Sequence, residues 1–265
     1  MLIEKEYNIS NSIASTAIVS SKAQLGENII IGHYAIIEDD VVIGNNTSIA
    51  AHVNVKSYTT IGDNCKIFNG AVIGEIPQDL KYSGEKTELI ISNNTTIREF
   101  CTLNRGTIDT GKTIIGSNCL LMAYVHVAHD CIIGDNTILS NSVQVGGHVE
   151  IDNHVIIGGM TPVHQFCKVG DYSFIGGGYR IVQDVPPYIM AMKEPLQYSG
   201  LNSVGLRRHN FSNEAKLNIK KAYQILYQSS FNRAQAIKEI QMSIESSSYI
   251  NNILEFIDRS KRGLI

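Results

Sequence analysis

The sequence carries an aliphatic residue at every sixth position over most of its length. Between Ile13 and Ile181 there are 29 such positions, and 26 of them hold Ile, Leu or Val. The exceptions are Asp79, Glu85 and Asp109. A repeat of this kind requires a fold in which each six-residue unit presents the same side chain to one continuous core, so it constrains the architecture more than any single motif does.

A second pattern of small or β-branched residues lies two positions before the aliphatic one, for example at Ala17, Ala35 and Val41. Alternate side chains of a short strand point to the same face, so each unit supplies two inward residues. Glycine often follows the aliphatic residue, as expected for tight corners. A six-residue strand-and-turn unit is typical of a parallel β-helix, with three units in a coil of about 18 residues and about 4.8 Å between coils.

The repeat predicts two domains. Residues 1–190 form the all-β parallel β-helix, with loop excursions near 75–88 and 104–113 where the pattern breaks. Residues 191–265 form a small α-helical C-terminal domain, because "FSNEAKLNIKKAYQILYQ" has helical spacing and Ser212 is a suitable N-cap. Such a domain would cover the last coil and protect an open sheet edge.

Charge and cysteine content bound the remaining possibilities. The net charge is −3 and the pI is about 6.2, so nothing global favours nucleic acid as a partner. The sequence has no long apolar stretch, so no transmembrane segment is predicted. Five cysteines, an odd number without a secretory leader, indicate a reducing cytoplasm. All five occupy the small inward position, which predicts core packing rather than metal binding or nucleophilic chemistry.

Four of the 8 histidines share one side of the predicted coil. His126, His129, His148 and His164 are out of phase with the inward positions, and modulo the coil length of about 18 residues they fall within one narrow sector. His148 comes one coil and one further position after His129, so we expect the two to be neighbours on adjacent coils. This sector is the candidate site.

Three hypotheses account for the histidines. They could bind zinc, as in hexapeptide proteins that resemble gamma carbonic anhydrases, or they could be ordinary surface or interface residues. They could also include a general base, because a neutral imidazole has an ordinary pKa near 6.5 and accepts a hydroxyl proton at neutral pH. Asp130 follows His129 directly, and a carboxylate that orients the ring would raise its basicity. We favour the general base.

Five segments carry a resemblance to a known family: "GEIPQDLKYSGE", "HVAHDC", "GGMTPVHQFC", "QDVPPY" and "RSKRGLI". Together they closely resemble the UDP-N-acetylglucosamine O-acyltransferases, which begin lipid A synthesis, over essentially the whole chain. The resemblance implies a left-handed β-helix and a homotrimer with active sites between neighbouring subunits. It also implies transfer of a 3-hydroxyacyl group from acyl carrier protein to the glucosamine 3-hydroxyl, with no metal and no cofactor besides the carrier-protein thioester.

The resemblance assigns roles to particular residues. His129 matches the general base, Asp130 the residue that orients it, and the backbone N–H of Gly147 the oxyanion donor. Gly177 matches the position that limits acyl-chain length, although Tyr179 could close that channel. Asp79 and Lys81 match residues that hold the sugar, and Asn202 and Arg208 match uridine and phosphate contacts. Other substrate contacts are matched by His126, His148, His164 and Gln165.

Several alternatives stay open at this stage. Without the resemblance, Asp79 and Lys81 would be an ordinary exposed ion pair, and "LRRH" a solvated basic patch. A separate hypothesis is that "LRRH" helps to dock the acidic carrier protein. A coenzyme-A-dependent sugar acetyltransferase and a non-catalytic β-helical scaffold are the other functions considered. The chain also departs from the family pattern at Val204 and His209, which replace an expected Glu and an expected second Arg.

Overall fold

The computed structural model describes residues 11–265, and its first part is a coil of short parallel strands on three faces of a prism. The first sheet contains Ser12–Ile13, Ile30–Ile31, Ser48–Ile49, Lys66–Ile67, Thr96–Ile97, Leu120–Leu121, Ile138–Leu139, Ile156–Ile157 and Phe174–Ile175. The second sheet contains Ile18–Val19, Ile36–Ile37, Asn54–Val55, Val72–Glu75, Thr102–Asn104, His126–Val127, Gln144–Val145 and Pro162–Val163. The third sheet contains Gln24–Leu25, Val42–Ile43, Thr59–Ile61, Glu88–Ile91, Lys112–Ile115, Ile132–Ile133, Glu150–Ile151 and Lys168–Val169.

Strand register gives the coil length directly. Ser12 pairs with Ile30 and Ile132 with Glu150, so each partner lies three hexapeptide repeats further along the chain. The prediction of a left-handed parallel β-helix followed by helices is confirmed.

The core of the prism is a column of the repeated aliphatic residues. From the second coil onward they are buried, as at Ile31, Leu139 and Ile175. The cysteines Cys65, Cys101, Cys119, Cys131 and Cys167 are free and buried among them, so their predicted place in the core is confirmed. Burial raises the pKa of the Cys131 thiol to about 12, so it stays protonated and unreactive at neutral pH.

The two excursions explain the exceptions to the repeat. Lys66 pairs with Thr96, which lies five repeats on instead of three, because the segment 76–87 leaves the coil. Thr102 pairs with His126, which lies four repeats on, because the segment 105–111 leaves it as well. Each excursion therefore adds a whole number of repeats, and the phase is kept on either side of each loop.

The C-terminal part begins as an extension of the prism. The strand Ile189–Met192 pairs in parallel with Phe174–Ile175, and Gln197–Leu201 pairs antiparallel with it. The domain boundary expected after residue 190 therefore lies inside a strand of the first sheet. Four helices follow: α1 (Ser203–Arg208), α2 (Asn213–Gln228), α3 (Arg233–Ser243) and α4 (Ser248–Arg259).

The helices are fixed to the last coils by polar contacts. Ser212 caps α2, as predicted, by accepting a hydrogen bond from the N–H of Ala215. Tyr223 of α2 donates its hydroxyl proton to the carbonyl of Pro187 at 2.6 Å, and Arg259 of α4 forms ion pairs with the third sheet. Within residues 11–265, no helix has the length and apolar character needed to cross a membrane.

Candidate active site

Several of the predicted site residues gather on the corner between the second and third sheets, which we call the histidine edge. It comprises residues 128–131, 146–149 and 164–167, together with the two excursions, which both leave the coil at this corner. Residues Asp130, His148 and Phe166 occupy equivalent corner positions with φ of 60°, 59° and 66°. Asp and His are among the residue types that adopt this left-handed conformation more readily than most.

Backbone pairing between adjacent corners brings the histidines together. The N–H of His148 donates to the carbonyl of His129 at 3.0 Å. The two imidazole rings lie edge to face, with centroids 5.1 Å apart and an angle of 88° between the planes. The expectation that these two residues are neighbours on adjacent coils is therefore confirmed.

His129 and Asp130 form a hydrogen-bonded pair. Nδ1 of His129 lies 2.8 Å from Oδ2 of Asp130, and the side chains are 14% and 0% exposed. Because Nδ1 donates to the carboxylate, the lone pair of the neutral ring is on Nε2. Sequence adjacency alone did not establish this contact, and the structure shows it.

Hydrogen bonds from the second excursion hold Asp130. Its carboxylate accepts from the N–H of Thr107 at 2.9 Å, from the hydroxyl of Thr107 at 2.7 Å, and from the hydroxyl of Thr110. Burial raises the pKa of Asp130, but the hydrogen bonds from Thr107, Thr110 and His129 outweigh it and hold that pKa below its usual value. Asp130 is therefore a carboxylate at neutral pH.

His148 lies between two carboxylates and an aromatic ring. Its Nε2 is 3.7 Å from Oδ2 of Asp130 and 3.8 Å from Oδ2 of Asp109 in the second excursion. Its ring stacks on Phe166, with centroids 4.5 Å apart and 10° between the planes. The sequence did not single out Asp109 as a site residue, or Thr107 and Thr110 at all, since contacts between a loop and a coil leave no periodic signal. Phe166 was not singled out either, although it lies 18 residues after His148, at the equivalent position of the next coil.

Gly147 packs directly against the ring of His129. A Cβ atom at this position would lie 2.6 Å from Cε1 and 2.8 Å from Nε2 of His129. Since the other side of the ring is held by Asp130, a side chain here would force the imidazole away from its partner. Glycine is thus required for the backbone to approach Nε2 of His129.

The two other predicted histidines lie beside this cluster, His126 in the strand His126–Val127 of the second sheet and His164 on the histidine edge. His126 contacts the hydroxyl of Thr102 through Nδ1 at 2.7 Å, and burial lowers its pKa, with a further lowering from His129. His126 is therefore neutral at neutral pH. His164 and Gln165 are exposed on the corner that follows His148, and Nδ1 of His164 contacts the carbonyl of Gln165 at 3.1 Å.

The first excursion carries the two residues assigned to sugar binding. The N–H of Lys81 donates to Oδ1 of Asp79 at 2.9 Å, and no ion pair joins the two side chains in the described part of the chain. The exposed ion pair considered as the alternative is therefore not formed. Arg105 ties the two excursions together, because its guanidinium donates to the hydroxyl of Tyr82 at 2.9 Å and to the carbonyl of Ser57 at 3.2 Å.

Asn202 and Arg208 lie on a different edge of the same chain. The buried side chain of Asn202 caps α1, accepting from the N–H of Gly205 at 3.1 Å, and donates to the carbonyl of Tyr172 at 2.9 Å. Tyr172 belongs to the corner between the third and first sheets, not to the histidine edge. Arg208 is exposed in the last turn of α1, and His209 after it packs edge-on against Tyr172.

Gly177 is exposed on the remaining corner, between the first and second sheets. Tyr179 is partly buried against the core, with its ring over Gly176, where an added Cβ would lie 2.8 Å from Cε2 of the ring. In this chain, Tyr179 thus folds back onto its own coil beside Gly177.

The donor atoms of His129, Asp130 and His148 lie within 4.8 Å of one another, close enough for a metal ion. The carboxylate of Asp130 already accepts hydrogen bonds from Thr107, Thr110 and His129, and a metal would have to displace them. This donor set suits a proton-transfer pair better than the three-histidine zinc site considered from the sequence. That the site binds no metal stays a prediction.

Profiles of known families match both parts of the chain. Residues 184–265 match the second domain of UDP-N-acetylglucosamine O-acyltransferase, and residues 22–57 and 112–147 match the bacterial transferase hexapeptide. The chain is 53% identical to a protein from Sulfurihydrogenibium sp. that is named acyl-(acyl-carrier-protein)–UDP-N-acetylglucosamine O-acyltransferase. That match covers 95% of this chain and 93% of the relative.

Other similar proteins give the same result. A protein of the same name from Halorhodospira halophila is 44% identical over 96% of this chain and 98% of its own length. The crystal structure of a UDP-N-acetylglucosamine acyltransferase from Bacteroides fragilis superimposes with a TM-score of 0.94 at 46% identity. The superposition covers 96% of this chain and 99% of that one.

Proposed function

The chain belongs to the UDP-N-acetylglucosamine O-acyltransferase family, and from this premise we propose how it transfers an acyl group from acyl carrier protein to UDP-N-acetylglucosamine. It is an acyltransferase of lipid A biosynthesis. The observation that carries the mechanism is the His129–Asp130 pair, in which a buried carboxylate holds Nδ1 and leaves Nε2 as the proton acceptor.

In the proposed reaction, Nε2 of His129 removes the proton from the glucosamine 3-hydroxyl as its oxygen attacks the thioester carbonyl of a 3-hydroxyacyl carrier protein. Asp130 stabilises the imidazolium that forms. The tetrahedral intermediate then collapses, the carbon–sulfur bond breaks, and the imidazolium returns its proton to the leaving thiolate. Acyl ester and carrier-protein thiol are the products, and no cofactor takes part.

Gly147 is proposed as the oxyanion donor. Its backbone is buried against His129, and within residues 11–265 its N–H donates to no acceptor. An N–H that is free before reaction and adjacent to the base is suited to the negative charge that develops on the carbonyl oxygen. Removing one such donor typically costs about 2.7–4 kcal/mol of transition-state stabilisation.

The remaining assignments concern substrate binding. Asp79 and Lys81 are proposed to hold the sugar, since their loop leaves the coil at the histidine edge. His148, His164 and Gln165 on the same edge, and His126 in the strand that precedes the base, are proposed as further substrate contacts. Asn202 and Arg208 are proposed to contact the uridine and phosphates, and a guanidinium suits phosphate because of its geometry and permanent charge.

We propose a homotrimer, because these assignments are divided between two edges of one chain. His129 is on the histidine edge, whereas Asn202 packs on the corner of Tyr172. The family resemblance implies active sites between neighbouring subunits of a trimer. In that arrangement the histidine edge of one chain and the Tyr172 corner of the next chain would both border one site.

The mass in solution tests this assembly. We expect three times the mass of the 29.2 kDa chain. Light scattering after size exclusion measures it, and a wild-type protein that is a monomer or a dimer at the assay concentration contradicts the proposal.

A comparison of donors and acceptors tests the function. We expect transfer to UDP-N-acetylglucosamine from 3-hydroxyacyl carrier proteins and none from acetyl-coenzyme A. A parallel assay with the 3-amino analogue of the sugar nucleotide distinguishes ester from amide formation. Transfer from acetyl-coenzyme A alone would support the acetyltransferase alternative instead, and preference for the amine would contradict the proposed acceptor.

A further inference from the structure

The second excursion folds back onto the catalytic pair. Its residues Thr107 and Thr110 supply three hydrogen bonds to the carboxylate of Asp130, one from a backbone N–H and two from hydroxyls. The only other side chain within hydrogen-bond distance of this carboxylate, among residues 11–265, is His129. The loop therefore provides most of the polar surroundings of a fully buried charge.

We propose that Thr107 and Thr110 are positioning residues for the reaction, whose hydroxyls keep Asp130 ionised and aimed at Nδ1 of His129. This rests on the proposed function, in which His129 is the base. The two threonines act through Asp130 and do not contact the reacting atoms.

The charge of Asp130 depends on these hydroxyls. An unpaired buried carboxylate is strongly disfavoured, and each charge-assisted hydrogen bond offsets part of that cost. The hydroxyl of Thr110 also lies 2.9 Å from the carbonyl of Lys112, but it has one proton. The charged acceptor forms the stronger bond, so the proton goes to Asp130.

The loop is built to hold these hydroxyls in place. The N–H of Gly111 donates to the carbonyl of Thr107 at 2.8 Å, which closes the turn between the two threonines. A Cβ on Gly106 would lie 2.3 Å from the backbone nitrogen of Lys112, so the two arms of the loop are in close contact. Arg105 anchors the start of the loop to the first excursion.

Acidification should affect the wild type and the variants differently. The titratable groups around the pair are His126, His148 and Asp109, and none of them donates to the carboxylate of Asp130 within hydrogen-bond distance. Without the hydroxyls, the pKa of Asp130 rises, because the hydrogen bonds from Thr107 and Thr110 are among the causes that lower it. Asp130 then becomes protonated at a higher pH, and we expect the acid limb of the rate profile to move upward.

The experiment compares Thr107→Val, Thr110→Val and the double variant by single-turnover acyl transfer across pH. We expect a loss of roughly tenfold for each single variant, a fraction of the 10²–10⁴ that a general base typically contributes. The KM for UDP-N-acetylglucosamine should change less than twofold, and the serine variants should regain the wild-type profile. Thr137→Val is the matched control, because its buried hydroxyl donates to the carbonyl of Asp152 away from the site.

The outcomes distinguish a positioning role of the two threonines from a purely structural role of the loop. A rate loss with an unshifted pH profile, or one that serine does not restore, would overturn the proposal and leave a structural role for the loop. Thr110 is exposed, so the fold of Thr110→Val can be checked by its melting curve. A wild-type rate in this variant would also overturn the proposal. Full activity of His129→Ala would instead show that the proposed mechanism itself is wrong.

Discussion

Replacement of His129 by alanine is expected to lower the rate of acyl transfer by about 10²–10⁴, the contribution typical of a general base. Nε2 carries the free imidazole lone pair of the His129–Asp130 pair, and among residues 11–265 no other imidazole is hydrogen-bonded to the carboxylate of Asp130. UDP-N-acetylglucosamine should still bind, because the loop and the C-terminal residues proposed to hold it are unchanged. Single-turnover transfer and equilibrium binding of the sugar nucleotide measure the two effects separately.

His33→Ala is a suitable control for the His129 variant. His33 is exposed on another edge, where it contacts the hydroxyl of Thr16, and its removal should leave the rate unchanged. Loss of nucleotide binding together with the rate in His129→Ala would indicate a binding residue rather than a base. An unchanged rate would move the chemistry to another histidine of the edge, with His148 the first to examine.

Most of the fold followed from the sequence because every coil repeats the same physical requirement. Each unit must place one aliphatic side chain inside, so position in the chain translates directly into position on the prism. The same arithmetic brought His129 and His148 together, as their ring contact shows. The same arithmetic holds on both sides of each excursion, because each excursion inserts a whole number of hexapeptide repeats.

The surroundings of the pair were not predictable in this way. Thr107 and Thr110 reach Asp130 from a loop that lies outside the repeat, and nothing in their spacing sets them apart from other polar loop residues. Phe166, by contrast, follows His148 by one coil of 18 residues, so the spacing places it next to His148, although its stacking role was not predicted. Periodicity locates a side chain on the coil, whereas contacts between a loop and the coil depend on the path of the loop.

The proposed proton transfer and the proposed binding of the uridine and phosphates depend on different parts of the chain. Stacked corners with left-handed backbone present His129 and His148 at fixed spacing, which suits a base that must be held rigidly. The residues proposed to bind the sugar and the nucleotide, Asp79, Lys81, Asn202 and Arg208, lie outside the stacked corners, and Asn202 is anchored to the prism by its contact with Tyr172. We therefore expect a change at these four residues to leave the His129–Asp130 pair undisturbed.

Replacement of Asp130 by asparagine is expected to lower the rate by about 10²–10⁴ while the fold is kept. Asparagine has the same shape and accepts the left-handed φ of 60° at this corner. It removes the negative charge that stabilises the imidazolium, and its amide can present N–H to Nδ1, which would favour the wrong tautomer of His129. The loss of about 10⁴ for the equivalent change in a serine protease sets the scale.

The matched control is Asp40→Asn, at an equivalent left-handed corner with φ of 55° on the same edge but far from the pair. It should keep both the melting temperature and the rate of the wild type. In Asp130→Asn, a normal melting curve with a large loss of rate and retained nucleotide binding is the expected result. A rate within a few-fold of the wild type would show that the charge is dispensable, and the role of the threonines that surround it would then be limited to holding the loop in place.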